Sequence, residues 1–276
     1  MVAIAAAVIV LLLAGLVAAR LLTNMSPATP VGQPVPPSVM RALTSVPSAD
    51  FEAVGRGTSN LPTAIRQPLA RTADGRLLVT YIGAEYCPFC AAERWPLIVA
   101  LSRFGQFSGL QLSQSAADDV YPSTPTFTFV GAAYTSQLIT FDAVETAGNV
   151  RQNGRYPPLQ ALNPRQEQLL RTYDAPPYVP TNSAGAIPFL DVSNLYSVTG
   201  ASFDPGVLQG RSWETIAATL TQSDSPQAGA ILGTANVLSA AICQATDSQP
   251  AEVCGSPTVQ ALSQTLSQLP AAGARP

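Results

Sequence analysis

The sequence has no histidine and no lysine, and all 14 of its basic residues are arginines. These absences exclude a Ser-His-Asp triad, a histidine metal ligand, a Schiff-base lysine and a P-loop lysine. The net charge is only −3. Because there is no basic excess, we expect no nucleic-acid partner. Chemistry must come from cysteine, carboxylate, arginine, tyrosine or hydroxyl groups, and we expect neither a metal nor a cofactor.

Apolar and small residues fill positions 2–19 without interruption, close to the shortest run that spans a bilayer as a helix. We interpret residues 1–22 as a transmembrane anchor, because the run is longer than a usual signal core and no basic residue precedes it. A secretory signal cleaved after residues 17–19 is the alternative. Arg20 by itself favours a cytoplasmic body. The even number of cysteines fits an oxidising compartment, so we expect a single-pass membrane protein with its folded part on the extracytoplasmic side.

Residues 23–50 contain six prolines. Proline at this density is typical of an extended, semi-rigid segment without a core of its own. We therefore predict a linker that separates the folded part from the membrane.

A strand–turn–helix pattern surrounds the first two cysteines. Residues 77–82 are β-prone, Cys87 begins the next element, and residues 91–104 have helical spacing. The unpaired N–H groups and the positive dipole end of a helix favour a thiolate at Cys87. Pro88 suits the first helical position, and Cys90, one turn further on, can resolve a mixed disulfide. Cys87 and Cys90 are therefore the predicted catalytic residues.

Two other interpretations of this CxxC motif are open. A zinc site usually needs a second closely spaced pair, whereas the remaining cysteines, Cys243 and Cys254, have ten residues between them and lie far along the chain. An inert structural disulfide within the motif is also conceivable, but so small a ring adds little stability.

Further elements can be read beyond the CxxC helix. Residues 126–130 and 138–141 are β-prone and predict a hairpin. Residues 165–173 predict a helix capped by Asn163, and residues 214–220 another after Ser212. Pro188 directly precedes an apolar run and is compatible with an ordinary strand start. In a chain with a CxxC helix, it also suggests a cis-proline loop that faces the motif.

These elements together resemble the thioredoxin fold. The resemblance implies that Cys87 attacks, that Cys90 resolves, and that the residue before the cis-proline binds the substrate backbone. The residues expected to contact substrate are accordingly Pro88, Phe89, Ile187 and Pro188. Cys-Pro-Phe-Cys is similar to a glutaredoxin-type sequence, although no further glutathione-specific pattern is present.

More narrowly, residues 81–95 and 119–127 resemble a prokaryotic family built on a domain of unknown function, numbered 929. The resemblance implies an α/β, thioredoxin-like domain over residues 51–222. A long insertion, about 142–184, separates its CxxC helix from the cis-proline strand. A C-terminal helical extension over residues 223–276 completes the chain as a helical hairpin. No proton acceptor for Cys90 is evident, and Glu85 and Glu93, the nearby carboxylates, are more typical of a solvated surface.

The second cysteine pair, Cys243 and Cys254, predicts a structural disulfide that closes a helical hairpin. An internal relay that passes oxidising equivalents to Cys87 is the alternative, and it requires the two pairs to be close.

Two functions fit the sequence. One is a membrane-anchored thiol–disulfide oxidoreductase, whose partners are cysteine-containing client proteins or a membrane redox protein. The other is a non-catalytic envelope protein that uses the same scaffold to bind a membrane or envelope partner.

Overall fold

The computed structural model describes residues 31–272. Within the described part, residues 32–272 form one compact unit by their contacts. The predicted anchor at 1–22 and the first part of the predicted linker, 23–30, lie outside the described residues. The described part contains a mixed sheet, two small sheets and eight α-helices, so the predicted α/β class is confirmed.

A five-stranded mixed sheet forms the centre of the fold. Its strands are β1 (Thr63–Ala64), β2 (Leu77–Gly83), β7 (Ile139–Glu145), β8 (Phe189–Val192) and β9 (Tyr196–Thr199). They lie in the order β1, β9, β8, β2, β7. β2 pairs in parallel with β7 and antiparallel with β8. Because β2 has a neighbour on each edge, its apolar run is buried almost throughout, as a central strand requires.

Two pairs of short strands lie outside this sheet. β3 (Gln106–Ser108) pairs with β6 (Ala133–Thr135), and β4 (Gln111–Gln114) pairs with β5 (Pro125–Thr128). The hairpin predicted between residues 126–130 and 138–141 is therefore wrong. Its first run pairs with β4 and its second belongs to β7, because each β-prone run finds its partner elsewhere in the chain.

Helices cover both faces of the central sheet. They are α1 (Pro37–Thr44), α2 (Ser48–Val54), α3 (Pro88–Ser102), α4 (Pro164–Tyr173), α5 (Trp213–Ala218), α6 (Pro226–Ala245), α7 (Ala251–Cys254) and α8 (Pro257–Ser267). α3 and α6 pack together in the larger core cluster, which includes Val79 and Tyr81 of β2. Leu169 of α4 packs with Ile82 and Phe189 in a second cluster. Adjacent residues of β2 thus face different helical layers.

The second half of the predicted linker is helical rather than extended. α1 and α2 occupy residues that we expected to be a spacer, and Val39 and Leu43 of α1 are buried in the larger core cluster. Prolines stand at the start of both helices, where the missing N–H costs nothing. The prolines at positions 37 and 47 therefore begin helices, and the prediction of a linker over residues 37–50 is wrong.

Two domain boundaries also change. Residues 142–145, predicted as the beginning of the insertion, belong to β7 of the central sheet. α6, predicted as part of a C-terminal extension, packs directly against α3 in the core, and α8 packs against α6. Within residues 31–272, α6 is the one helix long and apolar enough to cross a membrane, and 89% of its apolar window is buried inside the fold.

Candidate functional site

Cys87 stands at the exact start of α3, as its N-cap residue. Its backbone is extended, and its Sγ accepts the backbone N–H of Cys90 at 3.3 Å. Pro88 follows at the first helical position and has no N–H to leave unpaired. The sulfur therefore occupies the place where a helix offers unpaired donors and a positive dipole end, which stabilises a thiolate.

The two free thiols of the motif have opposite environments. Cys87 is 5% exposed and Cys90 is fully buried. The thiol hydrogen bond from Cys90 lowers the pKa of Cys87, although burial opposes this effect. Burial, followed by the neighbouring Cys87, raises the pKa of Cys90 well above its ordinary value. The geometry thus favours Cys87 as the first sulfur to ionise and Cys90 as a protonated donor beside it.

Ile187 and Pro188 lie beside Cys87, although they are a hundred residues away in the chain. The peptide bond between them is cis. The Cys87 thiol donates to the carbonyl oxygen of Ile187 at 3.6 Å. Pro188 directly precedes β8, the strand paired with β2. The structure therefore brings together three of the four residues expected to contact substrate, since Pro88 adjoins Cys87 as well.

Phe89 is the fourth of these residues and the most exposed member of the motif, with 38% of its surface accessible. Its ring meets that of Tyr121 edge-on, with 6.1 Å between the ring centroids. A phenylalanine in this position presents apolar surface two residues from Cys87, where a bound chain could cover it.

A fully buried arginine lies one turn below Cys90. Arg94 on α3 donates from Nε and Nη2 to the two carboxylate oxygens of Glu145, at 2.8 and 2.6 Å. Nη2 also donates to the carbonyl oxygen of Ala84 at 3.0 Å, and that same oxygen accepts the N–H of Cys87. Arg94 therefore ties α3, the end of β7 and the turn before Cys87 to one another.

This buried pair sets the charge around the two thiols. Arg94 lowers the pKa of both Cys87 and Cys90, in each case against the effect of burial. Burial raises the pKa of Glu145 to about 7, and Arg94 opposes that increase. A bidentate contact of this kind holds the guanidinium in a fixed position, which a flexible lysine ammonium would not achieve.

The two carboxylates near the motif are buried, which corrects the expectation of a solvated surface. Glu85 accepts the hydroxyl of Ser113, and Glu93 accepts both the hydroxyl and the N–H of Ser202 at 2.9 and 2.8 Å. Burial raises the pKa of Glu93 to about 7. Within residues 31–272, no cluster of three or more His, Cys, Asp or Glu side chains is placed to hold a metal ion.

The second cysteine pair forms a disulfide between Cys243 in α6 and Cys254 in α7. Arg71, which bridges to the first residue of β2, donates to the carbonyl oxygen of Ala245 at the end of α6. Cys87 follows the opposite end of β2. A seven-residue strand spans about 20 Å, so the disulfide lies at the far end of the sheet from Cys87. This separation contradicts the relay interpretation.

Sequence reasoning missed Arg94 and Glu145. Glu145 had been assigned to an insertion, and its pairing with Arg94 depends on the parallel contact that places it opposite Gly83. One signal was present: Glu93 and Arg94 are the only charged residues in an otherwise apolar α3. A charge in a buried helix needs a partner, and Arg94 is four residues after Cys90, on the same helix face.

Comparison with protein families gives a match over more than half of the chain. The model of a domain of unknown function, DUF929, matches residues 66–244. This range includes both cysteines of the motif, Arg94, Glu145 and the cis-proline. Comparison with curated proteins and with solved structures gives no significant match.

Proposed function

The chain belongs to the DUF929 family of domains of unknown function, and we propose that it is a membrane-anchored, extracytoplasmic thiol–disulfide oxidoreductase. Cys87 and Cys90 are its active-site pair. One observation carries the proposal: the slightly exposed Cys87 has a lowered pKa at a helix N-terminus, beside a buried Cys90 whose pKa is raised. An attacking thiolate and a resolving thiol require this asymmetry.

We assign a thioredoxin-like fold as part of this proposal. β2, α3 and β7 form a parallel β-α-β unit, and β8 and β9 then add in antiparallel fashion on the other side of β2. The CxxC motif follows β2, and the cis-proline precedes β8. This order agrees with the fold that the resemblance of the motif implies.

The proposed reaction moves two electrons between the protein and a client. The Cys87 thiolate attacks one sulfur of a client disulfide, forms a Cys87–client disulfide and expels the other client sulfur, which takes a proton. Cys90 then loses its proton, attacks Cys87 Sγ and expels the second client sulfur. The client gains two thiols, and the protein gains a Cys87–Cys90 disulfide. The same steps in reverse oxidise a client dithiol.

Arg94 and Glu145 supply the electrostatic setting for these steps. A buried cation near both sulfurs stabilises each thiolate as it forms, and this effect is strong where water is excluded. Glu145 holds the guanidinium in place through two hydrogen bonds. The site therefore replaces the absent lysine and histidine with one fixed arginine.

The proposed compartment rests on the disulfide and on the apolar N-terminal run. Disulfides such as Cys243–Cys254 persist in oxidising compartments and are rare in the cytosol. Residues 1–22 would anchor the protein, with the folded part on the extracytoplasmic side.

Cys90→Ser in the full-length membrane protein tests the function. Without the resolving sulfur, mixed disulfides with clients should accumulate on Cys87 in an envelope extract. They should disappear on reduction and be absent from the matched Cys87→Ser variant. An extract in which Cys90→Ser traps no more protein than Cys87→Ser would overturn catalysis and favour the non-catalytic binding protein.

A further inference from the structure

Exposed apolar side chains are concentrated near the CxxC motif. Among residues 31–272, the large apolar side chains classed as exposed are Val31, Phe89, Val120, Val150 and Leu159. Four of these five belong to three segments, 84–90, 115–124 and 146–159, which we call the apolar rim. Single exposed apolar residues are ordinary, but four of them on segments that adjoin the CxxC turn point to a binding surface.

Backbone hydrogen bonds hold the three segments of the apolar rim together. Glu85 donates its N–H to the carbonyl oxygen of Ala147 at 2.8 Å, and Ala116 donates to that of Tyr86 at 2.9 Å. The side chain of Asn149 donates to the carbonyl oxygen of Gln114, at the end of β4, at 2.8 Å. The three segments of the rim therefore adjoin one another at the turn that carries Cys87.

Aromatic pairs stand on both sides of Cys87 in this surface. Phe89 meets Tyr121, and Tyr86 stacks on Tyr156 with 4.3 Å between the ring centroids. Tyr121 has a positive φ of 52°, which is rare for a bulky residue. Its ring also packs close to Gly206, where an added Cβ would lie 3.2 Å from it. Rigid aromatic rings beside Cys87 suit contact with an apolar side chain.

The carboxylates around Tyr121 favour a partner that carries a positive charge. Asp118 is paired with Arg151 at 2.6 Å, and Arg151 also lies over the ring of Tyr156. None of the ion pairs among the described residues includes Asp119 or Asp204. Asp119 precedes the exposed Val120, and the carboxylate of Asp204 raises the pKa of Tyr121.

Two further charged residues belong to the rim: Glu85, which is buried, and Arg155, which is exposed at the turn of the third segment. The charged groups without an ion-pair partner that adjoin Val120 and Tyr121 are the carboxylates of Asp119 and Asp204. They would attract a cation and repel an anion.

We propose that the apolar rim binds polypeptide clients through an apolar side chain next to the client cysteine, with a basic residue beside it, in preference to small anionic thiols such as glutathione. This substrate class rests on the proposed function, because the client cysteine must form its mixed disulfide with Cys87. Phe89 and Val120 would lose exposed apolar surface to the client side chain, and Asp119 or Asp204 would face its cation.

Matched peptide disulfides test this substrate class on the full-length Cys90→Ser protein, in which each reaction stops at one mixed disulfide. The probes are Gly-Phe-Cys-Gly-Arg, Gly-Ser-Cys-Gly-Arg and Gly-Phe-Cys-Gly-Glu, each joined to thionitrobenzoate, and glutathione joined in the same way. When Cys87 attacks the peptide sulfur, coloured thionitrobenzoate leaves, so its release gives the rate.

The Phe-Arg peptide should react about tenfold faster than the Ser-Arg peptide, as covering one apolar side chain implies. It should also react faster than the Phe-Glu peptide and glutathione. Val120→Gln with Val150→Gln should lower the Phe-to-Ser ratio, whereas Val31→Gln, an exposed valine outside the rim, should not. Both rates in the Phe-to-Ser ratio are measured on the same variant, so a smaller amount of folded protein lowers both rates equally and leaves the ratio unchanged.

Two failures are distinguishable. If all four probes react with Cys87 at similar rates, or if the rim variants leave the ratio unchanged, the substrate class is overturned while the proposed function stands. If no probe reacts faster with Cys90→Ser than with a protein that also carries Cys87→Ser, both are overturned.

Discussion

Arg94 donates to both carboxylate oxygens of Glu145, and neither side chain has any solvent exposure. The pair joins α3 to β7 directly beneath the turn that carries Cys87. Removing Glu145 would leave Arg94 charged, buried and unpaired, whereas removing Arg94 would favour the protonated form of Glu145, whose pKa burial already raises. The pair therefore couples the stability of the fold to the chemistry of the thiols.

Glu145→Leu should lower the free energy of unfolding by about 3–5 kcal/mol, because it leaves the charge of Arg94 buried and uncompensated. Arg94→Met should lower it by less, because Glu145 can then bind a proton. The double variant should lose less than the sum of the two, and denaturant unfolding of all three gives the coupling. Arg171→Met, which removes one side of the exposed Arg171–Glu167 pair, should cost at most about 1 kcal/mol. Additive losses in the double variant would show that the pair does not interact.

Cys90→Ala should raise the pKa of Cys87 more than Cys90→Ser does. The hydrogen bond from the Cys90 side chain is the largest contribution that lowers the pKa of Cys87, and serine retains a donor whereas alanine does not. The rate of iodoacetamide alkylation at Cys87, measured against pH with mass mapping, reports this pKa. If the alkylation rates of the two variants depend on pH in the same way, the hydrogen bond from Cys90 does not lower the pKa of Cys87.

Replacing both Cys243 and Cys254 by serine should lower the free energy of unfolding by about 3 kcal/mol, the chain-entropy value for so short a loop. The rate at which Cys87 reacts with a peptide disulfide should not change, because the two pairs lie at opposite ends of the sheet. Thermal unfolding and that rate are measured on the same sample. A large fall in the rate would instead favour the interpretation that Cys243 and Cys254 pass oxidising equivalents to Cys87.

Glu93 should make stability decrease as pH rises. Its pKa is about 7 in the folded protein and 4.5 as the ordinary value, so between these values the folded state binds a proton that the unfolded state has released. The free energy of unfolding should therefore fall by about 3 kcal/mol between pH 4.5 and 7, and the decrease should be complete above pH 7.

Glu93→Gln should remove this part of the slope and retain two hydrogen bonds to Ser202. Unfolding between pH 4.5 and 8 compares it with wild type and with Glu167→Gln, an exposed carboxylate. If Glu93→Gln and wild type have the same slope, Glu93 does not titrate in this range.

Local features of the site could be predicted from sequence. The strand, the proline at the first helical position and the spacing of Cys87 and Cys90 depend on contacts within a few residues, and β2 and α3 formed as predicted. The helix at 164–173 is also determined by local contacts, since Asn163 and Gln166 form a reciprocal capping box at its start.

The predictions that were wrong concern contacts between residues that are far apart in the sequence. Glu85 and Glu93 are buried because Ser113 and Ser202 reach them from other parts of the chain. β5 and β7 looked like one hairpin because period-2 patterns do not specify which strands pair. The prolines at the starts of α1 and α2 are typical of a linker, but proline is also common at the first position of a helix.

Catalytic turnover of a peptide disulfide, with dithiothreitol as the terminal reductant and full-length protein well below the peptide concentration, tests the central claim most directly. Wild type should accelerate reduction over many turnovers, Cys87→Ser should not exceed the uncatalysed rate, and Cys90→Ser should retain peptide on Cys87 as a mixed disulfide. If wild type and Cys87→Ser reduce the peptide at the same rate, the CxxC motif is not a redox-active site.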